Sequence, residues 1–159
     1  MTLAYVAMGS NLGDRVAHLG AAVQALNPLK VSRYYETDAL LLPGDSTPQP
    51  AFLNAVMTVD TNLEPTALLK KLREIEHHQG RPSIRERWQA RTLDLDILLF
   101  GERVVEEPGL KIPHAEMHRR KFVLEPLCEI APDAMHPVLK KSVRQLFEAL
   151  RSVERSVLN

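Results

Sequence analysis

The sequence lacks the features that mark secreted, zinc-binding and membrane-spanning proteins. It has one cysteine, Cys128, so no internal disulfide can form, and no Cys/His spacing is typical of a zinc site. Its uninterrupted apolar runs fall far short of the roughly 18 residues that cross a bilayer. Because residues 1–15 contain no basic segment followed by a long apolar run, we expect no signal peptide. These absences predict a cytoplasmic protein with no membrane partner.

A basic excess is also missing, since 20 Lys and Arg residues are balanced by 20 Asp and Glu residues. This balance argues against a general nucleic-acid binder. No G-x-x-x-x-G-K-[ST] motif is present, which excludes a P-loop nucleotide site. The segment "GSNLGDR" has glycines but no such lysine, so we assign Gly9 and Gly13 to a strand-to-helix turn. The length predicts a single domain over residues 1–159.

The hydrophobic pattern predicts strands and helices in the order βαββαβ. Strands are expected at residues 3–10, 29–37, 51–61 and 92–100, and helices at 14–26 and 65–78. Loops are predicted at 38–50 and 81–91. Helical pieces broken at Pro126 are expected within 115–131, followed by a last helix near 140–152. This order predicts an α+β fold, a ferredoxin-like βαββαβ sandwich with additional C-terminal helices.

Two aspartates stand within the apolar stretch "RTLDLDILLF" of residues 91–100. On a strand, Asp94 and Asp96 share one face, while Leu99 and the other odd-numbered apolar residues face the opposite way. Their Cα atoms are then about 6.5–7 Å apart, so the carboxylates can hold one divalent cation or bridge two. Oxygen-only ligands suit Mg²⁺, which is often shared with substrate phosphates. The alternative is a pair of solvent-facing residues on a sheet with one exposed face.

Cationic and aromatic residues lie on both sides of this strand. Upstream are Arg81, Arg85, Arg87, Trp88 and Arg91, and downstream are His114, His118, Arg119, Arg120 and Phe122. Guanidinium groups bind phosphate oxygens in pairs, so arginines beside a metal are typical of a phosphoryl-transfer site under a closing loop. The alternative for the arginines is a solvated loop in which they pair with nearby carboxylates. The alternative for the histidines is an ordinary surface position.

A second candidate pair lies on the strand at 51–61. Phe52 and Asn54 share one face, and an aromatic ring beside an amide suits a flat heterocycle with donor and acceptor edges. The alternative for Phe52 is a place in the core.

Five segments, "AMGSNLGDR", "FLNAV", "IEHHQGR", "RWQARTLDLDILLF" and "IPHAEM", follow one another in this order. With them the chain closely resembles the 6-hydroxymethyl-7,8-dihydropterin pyrophosphokinases of folate biosynthesis, from Tyr5 to about Pro132. The resemblance implies transfer of the β,γ-pyrophosphoryl group of ATP to the hydroxymethyl group of the reduced pterin, with AMP as the other product. It also implies two Mg²⁺ ions held by Asp94 and Asp96.

The resemblance further implies roles for individual residues. Those implied for catalysis are Arg81, Arg91, Asp94 and Asp96. Those implied to bind ATP are Glu76, Arg87, Trp88, Arg91, Ile97, His114 and Arg120. Those implied to bind the pterin are Thr37, Leu40, Phe52, Asn54, Trp88, Asp94 and Phe122. The sequence departs from the family pattern at Asp38–Ala39, Ser83, Gln89–Ala90 and Lys121, which concerns loop geometry and leaves the reaction class unchanged.

Two other functions are consistent with parts of this pattern. One is a Mg²⁺-dependent phosphohydrolase that uses the same carboxylates and arginines. The other is a non-catalytic ferredoxin-like module that binds RNA or a small ligand through the arginine-rich loop. The preferred prediction is a monomeric enzyme whose partners are ATP and the pterin, with no nucleic acid.

Overall fold

The computed structural model describes residues 1–38, 50–80 and 92–158. The strands are β1 (Thr2–Ser10), β2 (Lys30–Val31), β3 (Tyr35–Thr37), β4 (Phe52–Thr61), β5 (Asp94–Phe100), β6 (Val105–Glu107), β7 (Leu110–Ile112), β8 (Met135–His136) and β9 (Lys141–Ser142). The α-helices are α1 (Arg15–Leu26), α2 (Pro65–His78), α3 (Lys121–Ile130) and α4 (Val143–Leu158), and a 3₁₀ turn covers Met117–Arg119. The prediction of a mixed helix-and-sheet protein is confirmed.

The main sheet is antiparallel and has β1 at its centre, between β4 and β5. β2 and β3 both pair with the outer edge of β4, which gives the order β2-β4-β1-β5 with β3 beside β4. The hairpins β6–β7 and β8–β9 form two small separate sheets. Because β4 and β5 both run antiparallel to β1, both begin at the end of the sheet where β1 ends.

Helices cover the two faces of the sheet. α1 and α2 bury residues such as Leu19 and Leu72 against one face, together with Val6 of β1. α3 and α4 bury Leu124 and Val143 against the other face, which we call the α3 face. Each fully buried leucine contributes about 1.5–3 kcal/mol, so both layers stabilise the sheet. Polar residues of the sheet lie at one end of the α3 face.

The first two helices begin and end where local chemistry allows it. The side chain of Asp14 accepts a hydrogen bond from the Ala17 N–H at 3.1 Å and so caps α1. Asn27 ends that helix in the left-handed conformation, with φ 47°. Pro65 is the first residue of α2, where its missing N–H has no cost, and the bounds of α2 match the predicted range.

The predicted break at Pro126 is wrong, because α3 continues through it from Lys121 to Ile130. One lost backbone hydrogen bond is outweighed by burial of Leu124 and Leu127, both fully buried against the sheet and α4. The last helix begins at Val143 rather than near 140, because the β8–β9 hairpin occupies the preceding residues.

Two strand predictions also need correction. The strand expected at 29–37 is divided into β2 and β3, because the Ser32 hydroxyl accepts the Val56 N–H at 3.0 Å and interrupts the regular ladder. In β5, the pairing with β1 shifts so that Val6 is paired with Ile97 but Tyr5 with Leu99. This bulge reverses the alternation, so Leu99 packs on the α3 face instead of with the other odd-numbered residues.

Candidate active site

Three neighbouring strands place small and polar residues side by side on the α3 face. Gly9 of β1 is paired with Asn54 of β4 on one side and with Asp94 of β5 on the other. Two residues earlier in β1, Ala7 is paired with Asp96. Because Gly9 and Ala7 carry no bulky side chain, open space remains between the amide and the two carboxylates.

This space is part of a cavity of about 480 Å³, a volume within the range of small-molecule sites. The sheet forms its floor, and the segment from His114 to Val123 forms a wall. The structure brings together eight of the residues selected from the sequence: Thr37, Phe52, Asn54, Asp94, Asp96, His114, Arg120 and Phe122 all line this cavity.

Asn54 is held in one orientation although it lies in the cavity floor. Its Nδ2 donates to Thr37 Oγ1 at 2.8 Å and, more weakly, to the Tyr35 carbonyl at 3.5 Å. A Cβ atom on Gly9 would lie 3.1 Å from Asn54 Oδ1, so a larger residue would press on the amide. The turn assigned to Gly13 fits its φ of 74°, but Gly9 belongs to β1 and is required for space.

Asp96 lies between a guanidinium group and an imidazole ring. Its Oδ1 is 3.9 Å from Arg73 Nη2, and its Oδ2 is 4.0 Å from His114 Nε2. His114 Nδ1 accepts the Glu116 N–H at 3.2 Å, so the proton of a neutral ring is on Nε2, facing Asp96. The Asp96 side chain is 36% exposed, so water, a cation or a phosphate can reach it.

Glu76 is placed differently from the other selected residues. Its side chain is 1% exposed, and its Oε2 accepts the Leu95 N–H at 2.7 Å and Arg73 Nη1 at 2.9 Å. Arg73 Nη1 also donates to the Leu95 carbonyl at 2.8 Å. These bonds fix the start of β5 to α2, and Glu76 does not line the cavity.

The wall formed by residues 114–123 carries several cationic side chains. Arg119 and Arg120 directly precede Lys121, the first residue of α3, and all three line the cavity. The Arg120 guanidinium lies 5.7 Å from the centroid of the Phe122 ring, which orients both side chains. The cavity therefore combines an aromatic ring and an amide with charges of both signs.

A second cavity of about 370 Å³ adjoins the first. Asp96 and His114 line both cavities, so they lie at the junction. Ile97, selected from the sequence, lines the second cavity together with Leu69, Leu110, Arg73 and Lys111. This cavity thus has apolar surfaces next to two cations.

Other selected residues lie outside the described ranges, namely Leu40, Arg81, Arg87, Trp88 and Arg91. The departures at Ala39, Ser83 and Gln89–Ala90 lie there too. Within residues 1–38, 50–80 and 92–158, no group of three or more His, Cys, Asp or Glu side chains could hold a metal ion by itself. Asp94 and Asp96 line the cavity together with a third carboxylate, that of Asp38.

Sequence reasoning missed Arg73 and misjudged Gly9. Arg73 precedes Glu76 by one turn of α2, and an arginine at that spacing from a glutamate was the available signal. For Gly9 no local signal exists, because its role depends on Asn54 of the neighbouring strand.

The fold and cavity define a class: a protein of mixed helix and sheet with a site suited to phosphoryl-group transfer, in which carboxylates and cations line a pocket that can hold a planar ring. The chain belongs to the 7,8-dihydro-6-hydroxymethylpterin-pyrophosphokinase family, whose model matches residues 5–132.

Curated relatives support this membership over most of the chain. A 2-amino-4-hydroxy-6-hydroxymethyldihydropteridine pyrophosphokinase of Haemophilus influenzae is 44% identical over 139 residues, which covers 86% of this chain and 86% of the relative. The enzyme of the same name from Pseudomonas aeruginosa is 46% identical over 136 residues, covering 84% of this chain and 83% of the relative.

Solved structures show the same fold at low sequence identity. A crystal structure described as HPPK-DHPS in complex with substrates matches with a TM-score of 0.76 and 14% identity, covering 99% of this chain. Plasmodium falciparum HPPK-DHPS matches with a TM-score of 0.69 and 16% identity, covering 94% of this chain. This chain spans 45% and 43% of those two solved chains, respectively.

Family membership establishes the activity as pyrophosphoryl transfer to a hydroxymethylpterin, a transferase step of folate biosynthesis. The phosphohydrolase and the non-catalytic binding module are not favoured by these comparisons. In the part of the chain that is described, no helix combines the length and apolar character needed to cross a membrane.

Proposed function

We propose that this chain transfers the β,γ-pyrophosphoryl group of ATP to the hydroxymethyl group of 6-hydroxymethyl-7,8-dihydropterin, with Mg²⁺ as the metal and AMP as the second product. The observation that carries this proposal is the row of Asn54, Gly9 and Asp94 across three paired strands. Two strand spacings, about 10 Å, separate the amide from the carboxylate. A bicyclic ring with a hydroxymethyl substituent fits this distance, with the ring edge at Asn54 and the hydroxymethyl group near Asp94.

The pterin is proposed to lie over Gly9. Asn54 Oδ1 can accept from an amino group of the ring, and its orientation is fixed by the bond to Thr37. Phe122 and Phe52 line the same cavity and supply apolar contact for the ring. This arrangement directs the hydroxymethyl group towards Asp94 and Asp96.

The carboxylate pair suits Mg²⁺ by its donor chemistry. Mg²⁺ commonly takes one or two protein carboxylates and completes its coordination with water and substrate phosphates, so a cage of three or more acidic side chains is not required. Asp94 and Asp96 would hold two such ions between them. When bound, the metal neutralises phosphate charge and favours attack by an oxygen nucleophile.

The second cavity is proposed to receive the nucleoside part of ATP. Ile97 and Leu110 are buried and offer apolar contact for a base, while Arg73 and Lys111 offer positive charge. Because Asp96 and His114 line both cavities, the phosphates would cross at this junction. His114 would donate from Nε2 to a phosphate oxygen, and Arg120 would bind the phosphate chain from the wall of the first cavity.

The protein side chains then act mainly by positioning and by charge. Cations at the start of α3 offset the phosphate charge that would otherwise repel the attacking hydroxyl oxygen. The roles expected for Leu40, Arg81, Arg87, Trp88 and Arg91 remain part of the proposal, as does contact of Glu76 with the nucleotide. The buried position of Glu76 favours an indirect role through Arg73 and β5.

We also propose that the fold is ferredoxin-like and forms a single domain. The strand order β2-β4-β1-β5, with α1 and α2 packed on one face, supports this classification. A cytoplasmic monomer without nucleic-acid or membrane partners completes the proposal, and the zero net charge supports the absence of nucleic acid.

The test measures AMP formation from ATP and Mg²⁺ with and without the reduced pterin. We expect AMP to depend on the pterin, with a pyrophosphorylated pterin as co-product. Asp96→Asn should lower turnover by about 10²–10³-fold while the fold survives, since charge placement at the reacting phosphates is lost. Asp60→Asn is the matched control, because Asp60 is exposed on β4, about 20 Å along the strand from Asn54.

Three results would contradict the proposal. Release of phosphate or pyrophosphate without the pterin would favour the phosphohydrolase. Salt-dependent binding of RNA without AMP formation would favour the binding module. Near-normal turnover of Asp96→Asn would show that the carboxylate pair does not hold the catalytic metal.

A further inference from the structure

Two walls of the first cavity come from segments that are far apart in the chain. Thr37 belongs to β3, at the edge of the sheet, whereas Phe122 belongs to α3. The distance between these walls decides how a flat ring fits between them. Few contacts join β3 directly to α3, because α3 packs mainly against β4 and α4. The bonds that do join them therefore have a strong influence on the cavity.

One carboxylate makes this connection. Glu129, near the end of α3, accepts the Tyr35 hydroxyl at 2.6 Å and Arg33 Nε at 3.1 Å, both on Oε1. Its Oε2 accepts the Arg33 backbone N–H at 3.0 Å. Arg33 Nη2 also donates to the Tyr35 hydroxyl at 3.2 Å. Three groups of the β2–β3 segment thus converge on one side chain of α3.

The Glu129 side chain is 26% exposed, which is low for a surface carboxylate. Partial burial raises the pKa of the Tyr35 hydroxyl, as does its bond to Glu129. Burial alone would raise the pKa of Glu129, but the bonds from Tyr35 and Arg33 outweigh it and lower that pKa. At neutral pH the pair is therefore a phenol that donates to a carboxylate.

The connection continues from Tyr35 into the cavity. Tyr35 is paired with Asn54 across β3 and β4, and its carbonyl accepts from Asn54 Nδ2 at 3.5 Å. The same Nδ2 donates to Thr37, two residues further along β3. The position of β3 thereby sets the orientation of the Asn54 amide. On the other side, Phe122 precedes Glu129 by seven residues, about 10 Å along one rigid helix.

We propose that Tyr35 and Glu129 are positioning residues for the pterin: their hydrogen bond fixes β3, and with it Asn54 and Thr37, against the helix that carries Phe122. Neither residue lines the cavity, so neither contacts the substrate directly. The inference rests on the proposed placement of the pterin between these walls.

The test compares Tyr35→Phe and Glu129→Ala with the unmodified protein. Each variant should raise KM for the pterin by about three- to tenfold, the range expected when a correctly placed ring loses one positioning interaction. KM for ATP should stay within about twofold, because the second cavity is bounded by other elements. The double variant should be no worse than Glu129→Ala alone, since removing the Glu129 carboxylate already removes the bond that Tyr35→Phe breaks.

The matched control is Glu64→Ala. It removes an exposed bond of similar length, the 2.7 Å contact with Arg103, away from either cavity. We expect this variant to leave both KM values unchanged. Thermal unfolding of all variants identifies any general loss of stability.

Some results would overturn the inference. An unchanged KM for the pterin in Tyr35→Phe would show that the bond does not position the pterin. An equal rise of both KM values, together with a large fall in melting temperature, would show that the bond only stabilises the fold. Failure of the proposed function is separate, because the unmodified protein would then form no pterin-dependent AMP. In that case, pterin affinity measured by fluorescence titration still decides the inference, and equal affinity for all variants refutes it.

Discussion

The buried carboxylate of Glu76 permits a sharp test of what α2 contributes to the site. We predict that Glu76→Ala destabilises the fold first and affects nucleotide binding as a consequence. The Leu95 N–H, whose residue is fully buried, would lose the acceptor that lies 2.7 Å away. A buried amide left without its acceptor costs about 1–3 kcal/mol.

Two smaller losses add to this. Arg73 keeps its bond to the Leu95 carbonyl and its side chain is 43% exposed, so its lost ion pair is discounted to about 0–1 kcal/mol. Removing the buried part of the side chain adds about 1 kcal/mol. The sum, about 2–5 kcal/mol, corresponds to a fall in melting temperature of about 5–15 °C for a chain of this size.

The assay is thermal unfolding in parallel with KM for ATP. Glu76→Gln keeps an oxygen that can accept the Leu95 N–H, so it should lose less than half as much stability as Glu76→Ala. A normal melting temperature in Glu76→Ala, together with a tenfold rise in KM for ATP, would refute this reasoning. That outcome would make Glu76 a direct nucleotide contact.

Two further predictions concern the cavity floor and the β8–β9 hairpin. Gly9→Val should raise KM for the pterin at least tenfold, because even a Cβ would lie 3.1 Å from Asn54 Oδ1; an unchanged KM in steady-state kinetics would place the pterin elsewhere. Burial, and secondarily the nearby His118, lowers the pKa of His136 below 6.5, and its Nδ1 accepts the Val138 and Leu139 N–H groups. As the pH falls, the unfolded chain therefore binds a proton at His136 before the folded chain does. The stability that neutral His136 gives is complete above pH 6.5 and is lost as the pH falls through the lowered pKa. Urea unfolding at several pH values should show a flatter profile in this range for His136→Asn, and identical profiles would contradict the assignment.

The sequence predicted those parts of the structure that depend on local periodicity. The alternation around Asp94 and Asp96 placed both carboxylates on one face, and the cavity lining agrees. The same rule placed Phe52 and Asn54 together. Helix α2 was predicted with its observed bounds, because Pro65 marks the first turn and the apolar spacing continues to the last.

Features that depend on neighbouring strands could not be predicted in this way. The role of Gly9 depends on the side chain across the ladder, and the reversed side of Leu99 depends on a bulge in its pairing with β1. Pro126 stays within a helix because tertiary burial outweighs a local preference. The burial of Glu76 between α2 and β5 depends on the Leu95 N–H of a neighbouring element, and nothing local to α2 shows it.

The pairing of Gly9 with both Asn54 and Asp94 also constrains how this protein could change its substrate. The distance between Asn54 and Asp94 is set by the backbone hydrogen bonds between paired strands, and these bonds do not allow it to change gradually. A strand can shift only by whole residues, about 3.3 Å at a time, and a shift by one residue turns every side chain to the opposite face. Selection for a larger or smaller ring is therefore expected to change the side chains around the row, at Phe52 or Phe122, while the row itself stays fixed. Strand pairing thus fixes the length of the site, and only the side chains of the cavity walls can make small changes in its fit to the ring.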